Sequence, residues 1–222
     1  MKNKIQDASQ IYKKHGLKIS ARYLYHRIIQ KLHGGKFIYR KVYLYILDSP
    51  RPNEKAIAAA KQHTFKFATI DDLKSLSKNP EFEINEPDMK AFEHGDRCLL
   101  QLDGDNLVGY AWLAASNLVK IEWGFHFNMS DDTVYNYKGY TAPNYRGKGF
   151  QPLRHLKLLE LVKTEGKKQL LGYVDQMNLN SQKGVRKSGY FKIGTLKCIR
   201  HGEKINHTLN VNRKFWSEQI RM

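Results

Sequence analysis

Cysteine is scarce in this chain of 222 residues, which has two, and long hydrophobic runs are missing. Cys98 and Cys198 lie in apolar, strand-like segments, and neither has a second Cys or His at the spacing of a metal site. This pattern excludes a disulfide framework and indicates that both cysteines are small side chains packed in the core. Since neither has metal-ligating neighbours at a suitable spacing, no metal is expected. No stretch of about eighteen apolar residues exists to cross a membrane, and residues 1–10 lack the apolar centre of a signal peptide. The sequence therefore predicts a cytoplasmic protein.

Acidic residues are also few, because 21 Asp and Glu face 38 Lys and Arg and the net charge is +17. Residues 1–47 hold eleven of the Lys and Arg but a single acid, Asp7, so this segment alone carries +10. A positive field of this size attracts polyanions. The classes of partner that fit are nucleic acid, an anionic membrane leaflet, and a negatively charged substrate or cofactor.

Residues 1–62 are predicted to form a basic N-terminal extension. Apolar residues recur every three or four positions over residues 11–32, opposite a face of Lys and Arg, which predicts an amphipathic helix. Residues 37–47 are rich in β-branched and aromatic side chains, which predicts a strand. The helix could dock on the following domain, bind the anionic inner face of a membrane through residues 1–47, or help to bind an acidic acceptor. Tyrosines between the basic residues could stack on bases, but no nucleic-acid-binding motif supports that role.

Residues 63–222 are predicted to form the main domain. The turn-rich residues 103–106 lie between two apolar runs, which is typical of a β-hairpin. The other expected elements are strands over residues 64–69, 119–125, 134–142, 169–175, 191–199 and 205–211, and helices over residues 70–76, up to 94, 150–165 and 180–188. Strands mixed with helices in this way predict an α/β (α+β) fold with a mixed sheet and helices on its faces.

The most informative segment is residues 142–152, which read Ala-Pro-Asn-Tyr-Arg-Gly-Lys-Gly-Phe-Gln-Pro between a predicted strand and a predicted helix. A Gly-rich turn of this kind exposes successive backbone N–H groups, and the start of the helix adds unpaired donors and the positive end of its dipole. Arg146 and Lys148 add charge. The segment therefore predicts a pyrophosphate site, although its spacing matches neither the P-loop nor the dinucleotide G-x-G-x-x-G pattern.

The same segment resembles the acyl-CoA signature of the GNAT (N-acetyltransferase) superfamily, Arg/Gln-x-x-Gly-x-Gly/Ala, over residues 146–151, with Gln151 at a place that is usually small. A second resemblance follows about thirty residues on, where the family has Asn-x-x-Ala and then Lys-x-Gly-Phe. The residues that match there are Asn178, Ser181, Lys187, Gly189 and Tyr190. The resemblance covers residues 63–217 and implies a GNAT-type sheet, mixed but mainly antiparallel and flanked by helices.

The resemblance implies acetyl-CoA or another acyl-CoA as the cofactor. Its pantetheine would pair along the strand that ends at Tyr140, Thr141 and Ala142, and its pyrophosphate would lie on the amides of residues 147–151. The implied cofactor-binding residues are Tyr140, Thr141, Ala142, Arg146, Gly147, Lys148, Gly149, Phe150, Gln151, Asn178 and Ser181.

Transfer of the acyl group to an amine requires a base, because an alkyl amine has a pKa near about 10 and is protonated at neutral pH. Glu122 is the preferred candidate, since a carboxylate within an apolar strand can have a raised pKa, but an outward-facing surface position fits it equally well. His126, Asp131 and Asp132 are further candidates. The tyrosine that the family uses as a general acid, seven residues after the Asn, is replaced by Val185.

These features together predict an acyl-CoA-dependent N-acyltransferase, most simply an acetyltransferase. The acceptor would be a small-molecule or glycan amine, such as an amino sugar of envelope polysaccharide or glycolipid synthesis. The alternative is a module of the same fold that binds CoA and associates with a membrane or another polyanion without catalysis. Val185 and the +10 segment motivate that alternative.

Overall fold

The computed structural model describes residues 28, 37–49, 51, 54–121, 125–212 and 220–221. The predicted amphipathic helix over residues 11–32 and the candidate base Glu122 lie outside these residues, apart from position 28. No helix in the described ranges is long and apolar enough to span a bilayer.

The described chain alternates strands with short helices. The strands are β1 Phe37–Leu47, β2 His63–Phe67, β3 Arg97–Asp103, β4 Asn106–Leu113, β5 Leu118–Ile121, β6 Phe125–Met129, β7 Thr133–Thr141, β8 Gln169–Asp175, β9 Phe191–His201, β10 Lys204–Val211 and β11 Ile220–Arg221. The helices are α1 Glu54–Ala59, α2 Ile70–Ser77, α3 Glu86–Glu93, α4 Phe150–Thr164 and α5 Leu179–Ser188, with 3-10 turns at Pro80–Phe82 and Pro143–Tyr145.

Eight strands form the main sheet in the order β10-β9-β1-β8-β7-β4-β3-β2. Every neighbouring pair is antiparallel except β7 and β8, which run parallel. The prediction of a mixed, mainly antiparallel sheet flanked by helices is therefore confirmed.

Strand β1 belongs to the segment that the sequence assigns to the extension, yet it lies inside the main sheet. It pairs with β8 on one edge, Val42 opposite Asp175, and with β9 on the other, Phe37 opposite His201. Its alternate side chains are buried on both faces of the sheet, as in Leu44 and Tyr45. Residues 37–47 are thus part of the same folded unit as residues 63–212.

The two faces of the sheet are covered differently. On one face, α4 and α5 bury residues such as Leu158, Val162 and Val185 against β1, β7 and β8. On the other face, the small sheet β11-β6-β5 buries Val119 and Phe127 against β1, β8 and β9, and α2 and α3 cover the region around β3, β4 and β7. Burial of each large aliphatic or aromatic side chain contributes about 1.5–3 kcal/mol, so both layers hold the sheet.

One predicted strand, over residues 119–125, is wrong. The structure has two short strands there, because β5 ends at Ile121 and β6 begins at Phe125. The two pair as an antiparallel hairpin in which Ile121 lies opposite Phe125.

Candidate active site

The site begins where the two parallel strands separate. β7 and β8 are paired only over Thr133–Tyr135 and residues 169–171, and they diverge from Asn136 and Gly172 onward. The cleft between them has a volume of about 300 Å³. Its walls are residues 136–139 of β7, residues 172–175 of β8, and side chains from β1, α4 and α5.

A β-bulge in β7 lies along this cleft. Between the pairs Ala111 with Gly139 and Leu113 with Asn136, β7 has one residue more than β4. The Asn136 side chain donates a hydrogen bond to the backbone oxygen of Trp112, 2.9 Å away. Bulges bend a strand and often lie beside active sites, and this one bends β7 where it leaves β8.

The side chains of the two bulged residues, Tyr137 and Lys138, each contact a carboxylate outside the cleft. Tyr137 donates its hydroxyl proton to Asp96 at 2.8 Å, and the Lys138 ammonium lies 2.7 and 2.9 Å from the two carboxylate oxygens of the buried Asp88. Burial, and then the hydrogen bond to Asp96, raises the pKa of Tyr137. These contacts fix the bulge from the side of β3 and α3.

The far end of β7 leads into the Gly-rich turn and then into α4. Gly147 and Gly149 have φ of +80° and +84°, in the left-handed region that favours glycine, and Gly149 is the N-cap of α4. The backbone N–H groups of residues 147–151 have no hydrogen-bond acceptor among the described residues. Five free donors at the positive end of a fifteen-residue helix can bind an anion.

The side chains around this turn have different surroundings. Arg146 and Lys148 are exposed; Arg146 donates from Nε to the backbone oxygen of Thr141 at 2.9 Å, and the Lys148 ammonium lies 5.3 Å from the ring centre of Tyr145. Phe150 is buried in the core, so only its backbone N–H faces the turn. The guanidinium and the ammonium therefore remain near the turn without a carboxylate partner in the described part of the chain.

A buried arginine of α4, Arg154, forms hydrogen bonds with the last two residues of β7. Arg154 donates to the backbone oxygen of Tyr140 at 2.7 Å, to the Thr141 hydroxyl at 2.8 Å and to the Gln101 side-chain oxygen at 2.8 Å. Burial lowers its pKa to about 10, so it stays charged at neutral pH. The predicted residues Tyr140 and Thr141 are held in place by this guanidinium, and the Tyr140 ring stacks on Tyr110 in the core.

The second predicted motif reaches the same cleft from α5. Asn178 is the N-cap of α5, where its side-chain oxygen accepts a hydrogen bond from the backbone N–H of Ser181 at 3.0 Å. Both residues line the cleft together with Gln151. The structure therefore brings Asn178, Ser181 and the first turn of α4 together on one cleft.

The inner wall of the cleft contains residues that the sequence analysis did not propose as catalytic or cofactor-binding. They are Tyr45 from β1, His155 from α4, Val185 from α5, and Tyr190, which follows α5. The hydroxyls of Tyr45 and Tyr190 are buried and have no hydrogen-bond partner in the described ranges. Periodicity alone classes these side chains as core packing, so only the fold distinguishes them.

Of the predicted bases, those within the described residues do not line the cleft. His126 is exposed on β6, opposite Lys120, and does not line the cleft. Asp131 and Asp132 lie in the turn before β7, where Asp131 accepts from Asn117 and Asp132 forms an ion pair with Lys168. Among the described residues, the one carboxylate on the cleft wall is Asp175, which is paired with Arg40 at 3.0 Å.

No protein-family model matches this chain, and no curated protein matches it. Several solved structures are similar in backbone. A GCN5-related N-acetyltransferase-like protein from Streptococcus suis has 13% identity and a TM-score of 0.48; the match covers 78% of this chain and 66% of that one. An aminoglycoside acetyltransferase from an uncultured soil sample has 12% identity and a TM-score of 0.42, over 57% of this chain and 86% of that one. A ribosomal-protein-alanine N-acetyltransferase from Brucella melitensis has 15% identity and a TM-score of 0.42, over 56% and 89% of the two chains.

Proposed function

We propose that this protein transfers an acyl group from an acyl-CoA, most simply acetyl-CoA, to an amine. One observation carries the proposal: the free amides at the start of α4 adjoin the cleft between the diverging parallel strands β7 and β8. Gln151 links the two features, because its backbone N–H is one of the free amides and the residue also lines the cleft. A pyrophosphate requires such donors, and an extended arm with amide groups requires an open strand edge beside them.

The residues present fit the three parts of such a ligand. The N–H groups of Gly147, Gly149, Phe150 and Gln151 would bind the pyrophosphate, with charge from Arg146 and Lys148. The edge of β7 beyond Tyr135, which β8 leaves unpaired, would pair with the pantetheine amides. When bound, an acyl-CoA supplies an activated thioester carbonyl.

The acceptor amine must lose a proton before it attacks, and Glu122 remains the proposed base. His126 is the second choice, since its exposure on β6 keeps it off the cleft wall. The acceptor we propose is a small-molecule or glycan amine. Contact of residues 1–47 with an anionic membrane surface, which would place the reaction at the inner face, is likewise a proposal that rests on their +10 charge.

A matched pair of variants at Gly147 tests CoA binding. The position is exposed, a Cβ there would meet no atom within 4 Å, and Asn and Asp both tolerate its positive φ. We expect Gly147→Asp to weaken binding of CoA, measured by calorimetry, by about 10-fold or more, because a carboxylate would face the pyrophosphate. The isosteric Gly147→Asn should stay within about threefold of wild type. Equal affinities for the two variants would contradict a pyrophosphate at this turn.

Val185 on the cleft wall favours one alternative, a protein that binds CoA without catalysis. Thiol release from acetyl-CoA across a panel of amino sugars, polyamines and peptide amines separates the two functions. Turnover that Gly147→Asp reduces and Gly147→Asn preserves supports the transferase. Tight CoA binding without turnover on any amine supports the alternative.

A further inference from the structure

One region of the domain is rich in basic residues and lacks acidic ones. Strands β1, β9 and β10 and helix α5 contain no Asp or Glu. Their basic residues are Arg40, Lys41, Lys183, Arg186, Lys187, Lys192, Lys197, Arg200 and Lys204. The three strands are neighbours in the main sheet and α5 packs on β1, so these charges lie close together.

The register of the three strands places part of this charge on one face of the sheet. Lys41 of β1 lies opposite Lys197 of β9, and Lys197 lies opposite Thr208 of β10. Residues directly opposite one another in a sheet have their side chains on the same face. The two flanking rows are Tyr39, Ile199 and Asn206 on one side and Tyr43, Thr195 and Asn210 on the other. Lys197 and Thr208 are exposed, so this part of the sheet is in contact with solvent.

The cations on this face repel one another. Lys41 and Lys197 are like charges on strands about 4.8 Å apart, and a directly opposed pair of this kind destabilises a sheet. Burial, followed by the charges of Lys41 and Arg186, lowers the pKa of Lys192. None of these four cations forms an ion pair with a carboxylate in the described part of the chain. We call the three rows, together with Lys192 and Arg186, the basic face.

The basic face fits a broad anionic surface better than a nucleic-acid strand. A single strand is bound where bases stack on open aromatic rings. The Tyr43 ring is half-buried and already has two ammonium groups over it, with Lys192 at 4.2 Å and Lys41 at 5.5 Å from its centre. A plane of anionic headgroups requires only exposed cations. It also accommodates an exposed apolar side chain among them, such as Ile199, which can enter the interface.

We propose that the basic face binds the anionic headgroups of a membrane surface. The membrane contact proposed above rests on the charge of residues 1–47, whereas this inference assigns the contact to a face of the folded domain. Lys41 belongs to both, so basic residues from distant parts of the chain meet on one surface. The inference depends on neither CoA binding nor acyl transfer.

Sedimentation of the full chain with lipid vesicles tests the proposal. The vesicles contain phosphatidylcholine alone or with about one third phosphatidylserine. We expect wild type to bind the anionic vesicles, not the neutral ones, and to be released at about 0.5 M salt. Lys192→Gln/Lys197→Gln should weaken binding about 10- to 30-fold, because each lysine near an anionic surface contributes about fivefold.

Lys74→Gln/Lys78→Gln is the matched control. It removes the same charge from two exposed positions at the end of α2, on the other side of the sheet. This variant should weaken vesicle binding less than about threefold. Equal losses in the two double variants would overturn the proposal, because net charge alone would then explain binding. Failure of wild type to bind anionic vesicles, or equal binding to neutral ones, would also overturn it.

Two further measurements separate this proposal from its alternatives. If Lys192→Gln/Lys197→Gln weakened binding of a single-stranded oligonucleotide and left vesicle binding unchanged, the face would belong to nucleic acid and the proposal would be overturned. Both double variants should unfold within about 4 °C of wild type and keep its CoA affinity, since none of the four lysines lines the cleft. Wild type that bound vesicles as expected but not CoA would overturn the proposed function and support the membrane surface.

Discussion

The side chain of Gln151 fills the space above Gly184, since a Cβ at position 184 would lie 2.1 Å from the Gln151 side-chain oxygen. Gln151 is in the first turn of α4, and Gly184 is in the middle of α5. The family signature usually has a small residue at position 151. In this protein Gly184 of the facing helix α5 has no side chain, and this leaves room for the larger side chain of Gln151.

The contact between Gln151 and Gly184 predicts that Gly184→Ala raises stability less in wild type than in a background without the Gln151 side chain. In wild type the new methyl group must displace the far end of the Gln151 side chain, which offsets part or all of the gain of about 1 kcal/mol that replacing a helical Gly by Ala brings. In Gln151→Ala the space is free, and replacing a helical Gly by Ala should raise stability by about 1 kcal/mol. Denaturant unfolding of the four proteins measures the coupling. A change of the same sign and size in both backgrounds would contradict the contact.

Replacement of Gly109 by Ala is expected to lower the free energy of unfolding, because backbone and guanidinium atoms occupy the space that a Cβ would need. A Cβ at this position would lie 2.3 Å from the Tyr140 backbone oxygen and 2.7 Å from Nη1 of Arg154, and both atoms are held by the hydrogen bonds of the guanidinium. We expect Gly109→Ala to lose about 2–3 kcal/mol of unfolding free energy. Gly104→Ala, in the hairpin turn with φ of +58° and open space around it, is the control and should lose about 1 kcal/mol. A smaller loss at position 109 than at position 104 would show that Arg154 is not fixed where we describe it.

His155 predicts a pH dependence of stability. Its pKa is about 3 in the folded protein against about 6.5 in the unfolded chain. The unfolded state therefore binds more protons between these values, so stability falls as the pH falls below about 6.5. Between pH 7 and pH 5 the contribution is about 2 kcal/mol.

We expect His155→Asn, which keeps an N–H near Ser188 but cannot titrate, to be less stable at pH 7 and to vary less between pH 7 and pH 5. Thermal or urea unfolding at the two pH values measures the difference. The exposed His94 provides the control, because His94→Asn should retain the wild-type pH dependence. If His155→Asn also kept the wild-type pH dependence of stability, the buried neutral imidazole would not be the source of that dependence.

Local signals in the sequence predicted the elements whose boundaries are set by capping residues, turn residues or glycines. Helix α2 begins at a capping box formed by Thr69 and Asp72, and the predicted hairpin at residues 103–106 is present. Helix α4 begins after Gly149 and ends before Gly166, as expected. In each case the residues that determine the boundary are within a few positions of it, so a reading of the chain alone can find them.

Features that depend on distant parts of the chain were not predictable in the same way. Arg154 lies among apolar positions of α4, and its burial makes sense only with the carbonyl of Tyr140 and the side chain of Gln101 beside it. The side chains of Tyr45, His155 and Tyr190 come from three separate elements, and the divergence of β7 from β8 makes them a wall. Hydrophobic periodicity reports which face of an element is buried, but it does not report which strands separate.

The position of β1 has a consequence for how the chain folds during synthesis. In the main sheet, β9 and β10 connect to the other strands only through β1, within the residues that the structure describes. The ribosome makes β1 before its two partners, residues 169–175 and 191–201, which come more than 120 residues later. An apolar strand with two unpaired edges must therefore wait until both partners have emerged, and such a strand is prone to pair with the wrong partner. We infer that completion of the sheet is a late, slow and non-local step, in which the last strands close around one of the first.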